Sequence, residues 1–153
     1  MIQQPPTTLE RFLAGQGYIR IPLITNNTGH FEVLVQLKQR QWSFIVDTGA
    51  SVTVIDNQYA LLVPLVGELS NDKAAGMGTA EQDTFEVDDV LLQIDQFKVH
   101  LPKIFITDLS HVNNALKSKG SRPIAGVLGG DVLLHSSAII DYKGGAMFLK
   151  PTS

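Results

Sequence analysis

The chain has 153 residues, 44% of them hydrophobic and 18% charged, with a formal net charge of −3. That is enough for one domain with an ordinary core, and it leaves no basic surface fit to hold a phosphate backbone, which argues against nucleic-acid binding. No cysteine is present, so neither disulfides nor thiolate metal sites can hold the fold, and cytosolic and periplasmic locations both stay open.

The opening MIQQPP is polar, carries two prolines and reads as a flexible lead-in. It lacks the basic start and apolar core of a signal peptide, and no run of about 18 apolar residues occurs to span a bilayer. TTLERFLAGQG then offers a Thr N-cap, a Glu in the first turn and Gly15 as a stop, which predicts a short helix over 8–14. Residues 1–16 are thus expected to be an N-terminal extension, with the main domain over 17–153.

From Tyr18 the pattern becomes short β-rich runs separated by turn residues: YIRIPLI, FEVLVQLK, WSFIVD and SVTVI, with turns at NNTGH and QRQ. FEVDDVLLQI and KVHLPKIFI add two strands that meet near 95–97. LSHVNNALKSKGSRP is a polar loop with room for a short helix. The end reads as a buried strand, a glycine pair, a short apolar helix over 131–135 and a hairpin turning at KGG. Strands spaced this closely predict a mostly β barrel or sandwich.

One stretch stands out, FIVDTGASVTVID over 44–56. Asp47 follows three apolar residues of a buried strand, where a carboxylate is costly unless hydrogen bonds or a partner offset its desolvation. Thr48 can donate and accept side-chain hydrogen bonds, and Gly49 allows a sharp turn that brings its N–H near the carboxylate. Taken alone, Asp47-Thr48-Gly49 also fits an Asx turn between two strands with no chemistry.

The longer stretch, with Ala50, Ser51, Thr53, Val54 and Ile55 after the triplet, resembles the active-site loop of single-domain, retropepsin-like aspartic proteases. A distant segment, IAGVLGGDVLL, resembles the apolar-apolar-Gly strand and helix that lie beneath that loop, with Val127, Leu128 and Gly129 in those positions and Asp131 opening the helix. AIIDYKGGAMFL resembles the closing hairpin of bacterial and eukaryotic relatives. Together these cover roughly 18–149 in order and spacing.

The resemblance implies a closed acid-protease barrel over 17–153 with a short C-terminal helix, preceded by the short N-terminal helix of the extension. It implies an aspartic endopeptidase in which Asp47 is catalytic and Thr48, Gly49 and Ala50 support the loop. A flap over bound substrate is expected in SNDKAAGMGTAEQDTFEV, at Ala75, Gly76, Met77 and Gly78; an ordinary hairpin loop fits those residues equally well. No metal or organic cofactor is implied. Two carboxylates are needed and the chain has one Asp-Thr/Ser-Gly sequence, so the partner implied is a second copy across a two-fold axis, with a peptide or protein substrate held extended. Pepsin-like enzymes often carry Ser or Thr where Ala50 stands; without that hydroxyl, a less acidic working range is expected. The rival reading is a non-catalytic dimeric peptide- or protein-binding module on the same fold.

The remaining candidates read as ordinary. His30, His100, His111 and His135 lack metal-ligand spacing and are expected on the surface or in the core. No serine has a Gly-x-Ser-x-Gly setting, and AGVLGGD lacks the Lys-Ser/Thr of a phosphate loop. Trp42 reads as core or groove wall, Asp141 as a hairpin residue, and Asp88 and Asp89 as a solvated strand edge.

Overall fold

The computed structural model describes residues 4–69 and 83–152. The expected flap positions 75–78 lie outside the described residues.

The chain begins with helix α1 (Thr8–Gly15), close to its expected span. Thr7 and Glu10 form a capping box, Glu10 N–H donating to Thr7 Oγ1 and Thr7 N–H to Glu10 Oε2, each at 3.2 Å. Leu13 anchors the helix, buried with Ala146 and Phe148 near the C-terminus.

Strands β1 (Ile19–Pro22), β2 (Ile24–Thr25), β3 (Phe31–Leu37), β4 (Arg40–Val46) and β5 (Val54–Asp56) follow. Next come helix α2 (Asn57–Leu62) and strands β6 (Glu68–Leu69), β7 (Phe85–Ile94) and β8 (Phe97–Thr107). Helix α3 (Ser110–Ser118), strand β9 (Gly126–Leu128), helix α4 (Gly130–His135) and strands β10 (Ile139–Asp141) and β11 (Ala146–Leu149) complete the order.

Period-two burial drives the hairpins. Val33, Val35 and Leu37 of β3 and Phe97, Val99 and Leu101 of β8 point into the core while their neighbours mostly face solvent. The β3–β4 turn sits at Lys38-Gln39 rather than at QRQ, with Lys38 at φ 49°, and the β7–β8 turn has Asp95 at φ 54°. Two-residue turns of positive φ match the right-handed strand twist, and that preference draws Arg40 and Gln41 into β4.

The sheet runs β2-β3-β4-β9-β5-β8-β7-β6, and β3 also pairs with β7 from Val35–Ile94 to Leu37–Leu92. That pairing closes β3, β4, β9, β5, β8 and β7 into a six-stranded barrel, the mostly β closed fold that was expected. Phe44, Ile55, Leu92, Ile94, Ile104 and Leu128 are among its fully buried side chains, each worth about 1.5–3 kcal/mol on burial. A second sheet, β1-β11-β10, sits beside α1.

One helix, α2, was not expected, and α3 fills the polar segment that had room for a short helix. α2 begins where Asp56, 4% exposed, accepts from Gln58 N–H at 3.2 Å and from Leu109 N–H at 2.8 Å. α3 occupies the polar segment after 109, with Leu116 as its buried residue. The predicted strand from Ser51 is also shorter: Ser51 O and Thr53 N–H bond to Asp131 in the first turn of α4, while Thr53 O takes the N–H of Phe105 on β8 at 3.2 Å. None of the described helices is long and apolar enough to cross a membrane.

β9 enters between β4, to which it is parallel, and β5, to which it is antiparallel. Gly126 makes that insertion feasible: an added Cβ would collide with Val54 O and the Phe44 ring. Gly126→Ala should therefore lower stability by about 3 kcal/mol or more in urea unfolding. Gly15→Ala, with nothing within 4 Å of the new methyl, should be neutral or slightly stabilising in the same assay.

Candidate active site

Asp47 directly follows β4. Its N–H donates to Leu128 O at 3.0 Å, carrying the β4–β9 ladder one residue further. Gly49 N–H donates to Asp47 Oδ1 at 2.9 Å and Ala50 N–H to Asp47 O at 3.2 Å. The Asx turn and the carboxylate-presenting loop foreseen as alternatives are thus one object. The turn holds the Asp47 carboxylate half-buried, with Thr48 and Gly49 exposed and Ala50 buried.

The loop is held from below by the segment after β9. Gly130 N–H donates to Ala50 O at 2.6 Å and Asp131 N–H to Ser51 O at 3.1 Å. Thr53 Oγ1 donates to Asp131 Oδ1 at 2.6 Å and accepts from the buried Gly129 N–H at 3.0 Å. Thr53 N–H donates to Asp131 Oδ2 at 2.9 Å, and Val132 N–H to Asp131 Oδ1 at 2.8 Å. A Cβ at Gly129 would collide with Val52 O, so only glycine permits this approach.

Asp131 was expected to open the last helix, and it lies in the first turn of α4. The N-cap itself is Gly129, and most of the Asp131 carboxylate's bonds go to Thr53 and tie the helix to the loop. Val127 and Leu128 lie on β9 as foreseen, both buried and paired with Ile45 and Val46. Trp42 packs edge-on against Tyr59 at 5.1 Å beside the main core. Asp141 Oδ1 accepts from Gly144 N–H in the last hairpin, and Asp88 and Asp89 are exposed.

Asp47 stands in the wall of a cleft of about 380 Å³ lined also by Thr28, His30, Ile45, His111, Val112, Ala115, Leu116 and Val127. Ile45, Leu116 and Val127 are buried beneath it. His30 lies in the loop between β2 and β3, and His111 in the first turn of α3. Asp108 steadies the start of α3 by accepting from Ser110 N–H at 2.8 Å. That backbone bond, then the Ser110 hydroxyl, and more weakly the His111 charge, hold the Asp108 carboxyl below the usual carboxylate range. Among the described residues no three His, Cys, Asp or Glu side chains converge as metal ligands do.

The sequence reading did not anticipate the Thr53 clasp, nor that His30 and His111 share a cleft with Asp47. Thr53 lay in the quoted stretch, three residues after Ala50, and a buried Thr facing a distant Asp has no local signature. The two histidines meet Asp47 only through barrel closure and the packing of α3.

No protein-family model matches the sequence, and no curated protein matches it. Among solved structures, the fold is similar to the retroviral protease-like domain of Ddi1 from Leishmania major, at 13% identity and a TM-score of 0.58, over 80% of this chain and 90% of that one. It is likewise similar to a retropepsin-like aspartic protease from Rickettsia conorii, at 20% identity and a TM-score of 0.59, over 87% of this chain and 90% of that one. The chain has a retropepsin-like fold.

Thr53→Val removes the hydroxyl that serves both Gly129 and Asp131 and leaves a buried N–H unpaired. It should cost about 2–4 kcal/mol in denaturant unfolding, and Thr53→Ser should recover most of that loss.

Proposed function

We propose that the protein is an aspartic endopeptidase that acts as a homodimer, with Asp47 of each subunit forming the catalytic pair. The observation that carries this reading is the Asp47 carboxylate itself. It is half-buried at the wall of an apolar-floored cleft, on a loop fastened by Gly129, Gly130, Asp131 and Thr53. A retropepsin-like fold with this loop in place supports the same reading.

Two carboxylates brought within hydrogen-bonding reach cannot both ionise, so the pair holds one proton between them and titrates as a unit. The ionised Asp47 takes a proton from the attacking water while the protonated one hydrogen-bonds the scissile carbonyl. The carbonyl carbon becomes tetrahedral, and the proton held by the base then passes to the departing amine as the C–N bond breaks. Thr48 of each loop bonds across the two-fold axis. Substrate lies extended with strand-like backbone hydrogen bonds. Residues 17–153 form the peptidase domain, preceded by the 1–16 extension. With Ala50 adding no hydroxyl to the carboxylate, the working range is less acidic than that of pepsin-like enzymes.

The test is a diverse peptide library digested by the purified chain and by Asp47→Asn and Asp47→Ala, with mass in solution followed alongside. Cleavage should fall by about a thousandfold or more in both variants, and the active species should have the mass of a dimer. Cleavage surviving either substitution would remove Asp47 from the chemistry. Peptide binding by a dimer that never cuts would leave the fold serving as a binding module.

A further inference from the structure

The cleft beside Asp47 is apolar at its floor and carries two imidazoles at its rim. Ile45, Leu116 and Val127 are buried, whereas His30 and His111 are exposed. Neither Lys nor Arg is among the described lining residues, and Asp47 is the one carboxylate among them.

A hydrogen-bond chain fixes how His30 meets the cleft. Asn26 Nδ2 donates to Glu32 Oε2 at 2.7 Å, so Asn26 Oδ1 faces the other way as an acceptor. That oxygen takes the N–H groups of Thr28 at 3.0 Å and His30 at 3.1 Å, and the Thr28 hydroxyl at 2.6 Å. With its one proton committed, Thr28 Oγ1 can only accept from His30 Nδ1–H, which lies 2.8 Å away. In the neutral ring Nε2 is therefore an acceptor. Protonation turns Nε2 into a charged donor and leaves the chain behind it unchanged.

His111 contributes the second imidazole from α3. Carboxylates among the described residues near the pair are Asp47 in the cleft, Glu32 behind Asn26, and Asp108 at the start of α3. Lys117 lies in the last turn of α3, with Lys119 and Arg122 beyond it.

Resting on the peptidase reading above, we propose that this cleft receives the substrate side chain next to the scissile bond, and that His30 and His111 set its selectivity by pH. With both rings neutral the cleft takes an apolar side chain on Ile45, Leu116 and Val127. With both protonated it takes a glutamate, whose methylenes lie on that floor and whose carboxylate accepts from the imidazolium N–H groups. Histidine gains its charge as pH falls between about 8 and 5, and a peptide glutamate stays ionised down to about pH 4.3.

The test uses pairs of cleaved peptides identical except for Glu or Gln at that position. The Glu-to-Gln ratio of kcat/KM is measured near pH 7.5 and pH 5.5 in the wild type, in His30→Gln and His111→Gln, and in the double variant. Binding of the same pairs to the Asp47→Asn chain gives the ratio without chemistry. The wild-type ratio should rise about tenfold on acidification, each single variant should lose part of the rise and the double variant nearly all of it, and binding should follow. A flat wild-type ratio, or a rise that survives in the double variant, would overturn the selectivity while leaving Asp47 as the catalytic acid. No cleavage of any peptide by the wild type would overturn the peptidase reading instead, and the binding ratio would still decide what the cleft prefers.

Discussion

The structure around Asp47 depends on one close approach, the backbone of Gly129 lying against Val52 O with no side chain between them. Only at that distance can the Thr53 hydroxyl take the Gly129 N–H and give its own proton to Asp131. The clasp joins two segments far apart in the chain, the loop after β4 and the turn into α4. β9 then runs between β4 and β5, parallel to one and antiparallel to the other, and Asp47 emerges where that three-strand arrangement ends. An alanine at Gly126 or Gly129 would push these elements apart at the place where the carboxylate is aimed.

This rigidity matters for chemistry because a carboxylate acting on water must be held within a few tenths of an ångström of its working position. The loop achieves it with main-chain bonds to Leu128, Gly130 and Asp131 rather than with long side chains that would lose entropy on being fixed. Among the described residues no second carboxylate lines the cleft beside Asp47. The Asp131 carboxylate is engaged by Thr53 and Val132, and Asp56 by Gln58 and Leu109. In the proposed mechanism the second acid is therefore another Asp47. The cleft beside it, apolar below and imidazole-rimmed above, is where substrate choice would be made.

Much of this was legible in the sequence because it is written in local chemistry. Alternating apolar residues in FEVLVQLK and KVHLPKIFI gave strands, and Thr7 through Gly15 gave a capped helix. The stretches around Asp47 and Gly129 carried enough residues to show a resemblance that the fold bears out. The remainder was hidden for physical reasons. α2 is six residues long, and Asp56, which caps it through Gln58 N–H, also takes Leu109 N–H from just beyond the neighbouring strand β8. Ser51 to Thr53 have the composition of a strand, but Ser51 O and Thr53 N–H are taken by Asp131 of α4, and among the described residues only the bond from Phe105 N–H to Thr53 O reaches β8. His30 and His111 have no periodic or spacing relation to Asp47, and only the closed sheet and the packing of α3 bring the three to one cleft.

The central claim, that catalysis needs one Asp47 from each of two chains, is tested most directly by subunit mixing. Wild-type and Asp47→Asn chains, unfolded and refolded together at equal amounts and constant total protein, form homodimers and mixed dimers at random. If both acids are required, activity falls to about one quarter of the all-wild-type rate and follows the square of the wild-type fraction throughout the series. A linear decline, with about half the rate at equal mixing, would show that each chain acts alone, and the paired-carboxylate account would be wrong.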